Sequence, residues 1–421
     1  MDSKNGLFEF ITKAVTPYHA VEEIKQRLTE CGFNEISEKD SAAFSTDCCF
    51  VVRDSSIIAI KGSSLDGGFM ICASHNDTPT FKVKCAASSG AYARLMTESY
   101  GGAIYNTWFD RPLSIAGRVA VETADGVEMK LVNFDKNLVA IPNLAIHMNR
   151  EVNGGVKINP AKDTLPLLSL ESDVSLEKLV ADELDLSPED ILAHDLFLYN
   201  REAPVCFGKN DEFILSPRLD DLVSVYASLE AFLDSEPQGI SVLAVFDNEE
   251  VGSSTKQGAN STFLHDTLLR VAGSEEKYLE MLPDSFMISA DNAHAKHPNY
   301  PEMSDVQNSP ILGGGVAVKY NANQRYTTDA RSDAVFRTIC KRAGVSVQSY
   351  SNRADMPGGS TLGNISTTRV SISSVDIGIP QLGMHSSTET VAYSDFESMI
   401  DAMSEFYSSK ILTDGQNIKI V

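Results

Sequence analysis

Several apolar, strand-like segments of this chain run directly into histidine or acidic residues. "GFMICASHND" ends on His75 and Asp77, and "VLAVFDNEE" ends on Glu249 and Glu250. "SFMISADN" reaches Asp291 in the same way. Apolar runs of this length, alternating with amphipathic helices, favour an open α/β sheet covered on both faces. Because ligands bind beyond the carboxyl ends of the strands in such sheets, we expect these side chains to converge on one site.

The adjacent pair Glu249 and Glu250 restricts the local backbone further. Neighbouring residues of an extended strand point to opposite faces, and two like charges this close raise each other's cost of ionising. We therefore expect the chain to bend after the apolar run, and each carboxylate to have a partner. One glutamate that binds a metal ion, beside another that holds a water molecule, would satisfy both conditions.

Two further segments supply polar residues of the same kind. "VSISSVDIGIPQLGMHSSTE" places His385 after a strand and a turn, and "SPRLDDLVSVY" places Asp220 and Asp221 at the start of a helix. Two imidazoles with several carboxylates suit a borderline divalent ion, zinc first. One ion needs about three or four protein ligands, so this larger set favours two ions that share a bridging carboxylate. Neither HExxH nor CxxC occurs in the chain.

Other interpretations stay open for individual residues. A lone histidine or aspartate in a loop is more often a cap or a satisfied loop residue than a ligand. His294 and His297 in "DNAHAKHPNY" are rival ligand candidates. The glycine run of "ILGGGVAVKY" favours a turn or a close backbone approach. "PGGSTLG", residues 357–363, either directs backbone N–H groups at a substrate oxygen or forms a turn before a helix.

Charge and cysteine usage argue against several classes of function. The net charge of −23 and the pI of about 4.7 disfavour nucleic acid and anionic membranes as partners, because phosphate binding needs clustered Lys and Arg. The seven cysteines are scattered, which is typical of reduced thiols and predicts a cytoplasmic protein. No apolar run reaches the roughly 18 residues of a membrane span, and the N-terminus has no signal-peptide core.

The pattern along the 421 residues predicts two domains. Residues 1–88 combine helices with short strands, and residues 214–421 alternate apolar strands with amphipathic helices. Residues 89–213 carry mostly short alternating strands, such as "RPLSIAGRVAVET". We therefore predict one α/β domain formed by 1–88 and 214–421, with 89–213 inserted into it.

Taken together, these segments resemble the signature blocks of a known family. The blocks "SHNDTPTFKVK", "IPNLAIHMNR", "SPRLDDL", "VFDNEEVGSSTKQGA", "ISADNAHAKHPNY", "KYNANQRYTTDA", "NRADMPGGSTLG" and "LGMHSSTE" are similar, in this order, to those of the M18 metallopeptidases, the aspartyl aminopeptidases. The resemblance implies an open mixed α/β sheet flanked by helices, of the dinuclear zinc peptidase type, with an inserted, mainly-β dimerisation domain. It also implies two divalent metal ions, zinc first, with manganese or cobalt as alternatives.

The same resemblance implies a set of metal ligands. These are His75, Asp220, Glu250, Asp291 and His385. Asp220 would bridge the two ions. His75 and Asp291 would complete one metal position, and Glu250 with His385 would complete the other.

Four further residues receive roles from the resemblance. Glu249 matches the general base, and Asp77 matches the carboxylate that orients His75. His147 matches a histidine that the inserted domain presents to the active site of a partner subunit. Lys319 matches a lysine that meets an acidic substrate side chain. The resemblance also implies that the protein forms a homo-oligomer, a dodecamer built from dimers, as members of that family do.

These expectations describe a cytoplasmic metalloaminopeptidase that releases an N-terminal residue, preferentially Asp or Glu, from peptides. The chain departs from the family pattern at three places. "RLDD" carries Asp221 where asparagine is common, "PGGST" replaces PCGST, and Asn76 stands where threonine is frequent. These departures affect metal preference and pocket shape. One alternative is a neutral aminopeptidase or a deacylase on the same metal scaffold. Another is an inactive homologue that acts as an assembly or cargo protein.

Overall fold

The computed structural model describes residues 3–40, 44, 48–62 and 64–421. The first eleven strands are β1 (Asn34–Glu35), β2 (Cys49–Arg53), β3 (Ser56–Gly62), β4 (Phe69–His75), β5 (Thr80–Ser88), β6 (Ala93–Tyr100), β7 (Leu113–Thr123), β8 (Gly126–Asn133), β9 (Leu167–Ser169), β10 (Ile191–Asn200) and β11 (Val205–Phe207). The remaining strands are β12 (Phe213–Ser216), β13 (Ile240–Phe246), β14 (Phe286–Ala290), β15 (Ala293–His294), β16 (Val316–Tyr320), β17 (Val347–Ser351), β18 (Ser373–Gly378), β19 (Pro380–Leu382), β20 (Glu389–Ala392), β21 (Ile411–Asp414) and β22 (Asn417–Ile420). The helices are α1 (Ser3–Lys13), α2 (Pro17–Glu30), α3 (Leu176–Leu184), α4 (Leu219–Asp234), α5 (Phe263–Ala272), α6 (Glu275–Met281), α7 (Ala330–Ala343), α8 (Leu362–Ser366) and α9 (Tyr393–Tyr407). Within these ranges, no helix is both long and apolar enough to cross a membrane.

The main sheet has the strand order β1-β2-β3-β13-β4-β14-β18-β16-β17. Its four central strands, β13, β4, β14 and β18, are mutually parallel. Their carboxyl ends therefore lie along one edge of the sheet, where β4 ends at His75 and β14 ends just before Asp291. The predicted α/β fold class, with a mixed sheet flanked by helices, is confirmed.

Alternate side chains of β13 show how both faces of the main sheet are covered. Leu243 and Val245 lie in the apolar core that α1, α2, α4, α7 and α9 complete. Val242, Ala244 and Phe246 lie in the opposite core, with α5, α6 and α8. Because β13 is buried on both faces, its sequence is apolar without alternation.

A second sheet, antiparallel throughout, has the order β8-β7-β10-β5-β6-β9. Its core packs against Leu176 and Val180 of α3, so the expected β-rich region is present. The sheet begins with β5 at Thr80 and its last strand ends at Asn200, while β11 and β12 join a third sheet with β20, β19 and β15. The sheet thus occupies 80–200, and the division into catalytic and dimerisation domains at 89 and 213 stays a prediction.

The glycine run before β16 forms a turn held by a buried carboxylate. Gly313 and Gly315 have φ of 79° and 91°, in the left-handed region that favours glycine. A Cβ atom on Gly315 would lie 2.1 Å from the carbonyl oxygen of Ser346. Asp395 of α9 accepts both N–H groups, at 2.7 Å from Gly313 and 2.8 Å from Gly315. The run therefore serves a turn and a close backbone approach, as its sequence indicates.

Candidate active site

The polar residues that follow β4, β13 and β14 meet at one edge of the main sheet. His75 is the last residue of β4, and Asp291 directly follows β14. After β13, a short 3₁₀ turn at Glu249–Val251 lies between two left-handed residues, Asn248 and Gly252. The chain therefore bends where the adjacent glutamates required it to bend.

Asp220 lies at the centre of the site and directs one carboxylate oxygen to each of two groups. In the first group, Nε2 of His75 lies 3.5 Å from Oδ1 of Asp220 and 3.9 Å from Oδ1 of Asp291. In the second group, Nε2 of His385 lies 3.5 Å from Oδ2 of Asp220 and 3.5 Å from Oε1 of Glu250. One carboxylate thus joins two separate groups, each containing one imidazole and one further carboxylate.

The start of α4 explains how Asp220 reaches this position. Asp220 has φ −86° and ψ 104°, so it is not yet helical, and its side chain is free to turn towards the sheet edge. The peptide bond to Asp221 is cis. Asp221 is fully buried, and its Oδ2 accepts the N–H of His75 at 3.3 Å. Potential ligand atoms of Asp220, Asp221 and Asp291 lie within 4.8 Å of one another.

The electrostatics of the site favour bound cations. Burial is the largest cause that raises the pKa of Glu249, to about 8, and the charge of Asp291 acts in the same direction. Burial and the charge of Asp220 raise the pKa of Glu250 in the same way. Burial lowers the pKa of His385, but Asp220 and Glu250 outweigh it and raise that pKa to about 10. These carboxylates therefore crowd one another, and divalent ions would relieve the repulsion.

The donor set fits such ions. Potential ligand atoms of His75, Asp220 and Glu250 lie within 4.8 Å of one another. The buried Oδ1 of Asp220 accepts no hydrogen bond from any described residue. Imidazole nitrogens combined with carboxylate oxygens suit zinc and its neighbours in the first transition row.

Asp77 lies beside His75, and it also holds the glutamate turn. Nδ1 of His75 is 3.0 Å from the carbonyl oxygen of Asp77 and 3.5 Å from its Oδ1, so the carbonyl is the closer partner. The carboxylate accepts the N–H of Glu249 at 3.0 Å and the N–H of Glu250 at 3.1 Å. The hydroxyl of Tyr100, from β6, donates to the same carboxylate at 2.7 Å. Asp77 therefore links two strands of the main sheet to the second sheet.

Lys319 of β16 is buried against Asp291. Its ammonium group donates to the carbonyl oxygen of Asp291 at 2.9 Å, to Oδ2 of Asp291 at 3.3 Å, and to the carbonyl oxygen of Asn292 at 3.2 Å. Only 2% of the residue is exposed. Three acceptors match the three protons of an ammonium group. To contact a substrate carboxylate, Lys319 would have to exchange one of these bonds.

The remaining candidates lie outside this centre. His147 is exposed, within the exposed segment 142–148. Neither His294 nor His297 belongs to the clusters of possible ligands found among the described residues. Residues 357–361 lead into α8, which fits the interpretation of "PGGSTLG" as a turn before a helix.

Glu389 belongs to the site, although no role was assigned to it from the sequence. Its Oε2 accepts the N–H of Asp220 at 2.9 Å, and its Oε1 accepts the N–H of His385 at 2.8 Å. The available signal was its place four residues after His385 in "LGMHSSTE". The contact with Asp220 joins segments 169 residues apart, which periodicity cannot detect.

Comparison with known proteins shows the family to which the chain belongs. The family model described as aminopeptidase I zinc metalloprotease (M18) matches residues 10–407. A probable M18 family aminopeptidase 2 of Clostridium acetobutylicum is 43% identical over 422 residues, covering 96% of this chain and 98% of that protein. The chain is also similar to one in a cryo-EM structure of an Ape4 and Nbr1 complex, with a TM-score of 0.92, 34% identity, and coverage of 96% of this chain and 85% of that chain. A yeast mApe1 dodecamer has the same fold, with a TM-score of 0.83, 23% identity and 96% coverage of both chains.

A mixed central sheet with a carboxylate–imidazole centre at its edge is compatible with a metal-dependent hydrolase. The chain belongs to the M18 family of zinc metalloproteases, whose members are aminopeptidases. The expected family is confirmed.

The adjacent glutamates should respond differently to amide substitution. Glu249→Gln should retain bound metal and lose proton transfer, which contributes typically about 10²- to 10⁴-fold to rate. Glu250→Gln should lower the metal content, because Glu250 faces His385 across one of the two groups. Elemental analysis of both purified variants, with peptide hydrolysis measured in parallel, checks this division. Equal metal loss in the two variants would refute it.

Proposed function

We propose that this chain is a dinuclear-metal aminopeptidase that releases N-terminal residues, preferentially Asp or Glu, from peptides. The observation that carries the proposal is the placement of Asp220, whose two oxygens face two separate imidazole–carboxylate groups. One ion would be held by His75, Asp291 and Asp220, and the other by His385, Glu250 and Asp220. Zinc is the first choice for both, with manganese or cobalt as alternatives.

Bound divalent ions would supply Lewis-acid polarisation of the scissile carbonyl. Glu249 would take a proton from the attacking water and pass it to the leaving amine. Its position supports this role, because the N–H bond to Asp77 fixes its backbone while no described residue donates a hydrogen bond to its carboxylate.

The acidic preference rests on local charge. At a net charge of −23, the protein repels anionic substrates at long range, so an acidic side chain needs a cation inside the pocket. Lys319 would be this cation; it lies buried next to the proposed ligand Asp291. Binding of a substrate carboxylate would replace one of its three hydrogen bonds without leaving the ammonium unpaired.

A panel of Asp-, Glu-, Leu- and Ala-linked chromogenic amides tests this preference. Wild type should prefer the acidic substrates. A charge-assisted hydrogen bond contributes about 1.5–3 kcal/mol, so Lys319→Ala should lower the ratio of acidic to neutral kcat/KM roughly 10- to 150-fold. Some loss on all four substrates is expected as well, because Lys319 also holds Asp291.

The exposed Arg325 is the rival source of this positive charge, so Arg325→Ala belongs in the same panel. A ratio that falls in Arg325→Ala and not in Lys319→Ala would assign the contact to Arg325. An unchanged ratio in Lys319→Ala would mean that the lysine only supports Asp291. A wild type that prefers Leu would end the acidic assignment and favour the neutral aminopeptidase.

We further propose that the protein acts as a homo-oligomer built from dimers, with His147 completing the site of a partner subunit. The segment that carries His147 exposes apolar side chains to solvent, with Leu144 57%, Ile146 50% and Met148 76% exposed. Exposed apolar residues in one segment are typical of a contact surface. The yeast relative, described as a dodecamer, supports a larger assembly of such dimers.

Mixing two inactive variants tests action between subunits. Glu249→Gln and His147→Ala should each be inactive alone. After subunit exchange they should regain roughly a quarter of wild-type activity, because random pairing makes half of the dimers mixed and restores one site in each. Mass spectrometry of the exchanged sample verifies mixing. No recovery in a demonstrably mixed sample would exclude a role for His147 across the interface.

A further inference from the structure

Two of the proposed ligands, Asp220 and His385, stand on irregular backbone. Asp220 lies at the non-helical start of α4, and His385 has φ 68° in the left-handed region. Regular secondary structure therefore provides no partner for their N–H groups, yet buried N–H groups need one. Both N–H groups donate to Glu389, at 2.9 Å from Asp220 and 2.8 Å from His385.

We propose that Glu389 is a positioning residue that sets the spacing between Asp220 and His385, and thereby the affinity of the metal position on the His385 side. The inference rests on the proposed metal-dependent function. A carboxylate has two oxygens at a fixed separation, and each oxygen here accepts one N–H. It therefore ties two ligand-bearing segments together at a set distance, with charge-assisted hydrogen bonds.

The surroundings of Glu389 keep the carboxylate in place. It is the first residue of β20, paired with Ser216 of β12, and only 2% of it is exposed. Ser216 precedes Asp220 by one short turn, so the strand pairing itself brings Glu389 beneath α4. Glu389 and the half-buried Arg218 line one cavity, and this cation offsets part of the cost of a buried carboxylate.

Asp77 provides an internal parallel for this role. Its carboxylate accepts the N–H groups of Glu249 and Glu250, as Glu389 accepts those of Asp220 and His385. Two buried carboxylates thus hold the backbone of four site residues, one pair each. Groups that orient metal ligands in this way typically contribute about 10- to 100-fold to metal affinity.

The test is the zinc affinity of Glu389→Gln, measured for each ion by competition with a chromogenic chelator. Glutamine keeps the size of the side chain but turns one acceptor into an N–H donor that faces a backbone N–H. We expect the dissociation constant of one zinc ion to rise about 10- to 100-fold, with that of the other ion changing much less. Glu389→Asp retains both acceptors on a shorter side chain and should recover part of the affinity.

Asp395→Asn is the matched control. Asp395 is also buried and also accepts two backbone N–H groups, those of Gly313 and Gly315, but it touches no proposed ligand. It should lower the thermal midpoint while leaving zinc affinity near wild type. If Glu389→Gln behaves in the same way, the residue supports the fold alone and the inference is overturned. A wild type that binds fewer than two zinc ions would instead refute the proposed dinuclear function, and Glu389 would lose its role with it.

Discussion

The contact on which the site depends is that of the Asp220 carboxylate with two imidazoles, one on each of its oxygens. A carboxylate this deeply buried is unfavourable unless it has partners. The fold supplies two: His75 from the end of β4 and His385 from the turn after β19, while Asp220 itself comes from the irregular start of α4. The parallel strands of the main sheet bring His75 to the sheet edge, whereas Asp220 and His385 follow β12 and β19 of the third sheet.

The main demand on the structure around the site is to compensate buried negative charge, rather than to pack apolar side chains. The glutamate turn after β13 adds two carboxylates to the same space, and burial raises their pKa values. Asp77 and Glu389 hold the backbone of this centre, and Lys319 holds Asp291. The second sheet also takes part, because Tyr100 at the end of β6 donates to Asp77. Hydrogen bonds to the Asp77 and Glu389 carboxylates thus hold the backbone of the site.

The sequence predicted the parts of this arrangement that are local. Apolar strands that end on His75, Glu249 or Asp291 indicate a sheet edge, because strand length and burial leave a direct mark on the sequence. The bend at Glu249–Val251 followed from the repulsion of two adjacent carboxylates. The partners of Lys319 and Glu389 could not be predicted, because those contacts join segments far apart in the chain and carry no periodic pattern. The second sheet starts at Thr80, while the domain boundary at 89 stays a prediction; β5 is recognisable as a strand, but the sheet it joins is set by tertiary pairing.

Anomalous scattering at the zinc edge, from crystals of the zinc-loaded protein, tests the central claim most directly. The account predicts two peaks, one on each side of the Asp220 carboxylate, about 3.5–4 Å apart and each about 2.0–2.2 Å from one of its oxygens. His75 and Asp291 should contact one peak, and His385 and Glu250 the other. A single peak, or two peaks that do not share Asp220, would contradict it.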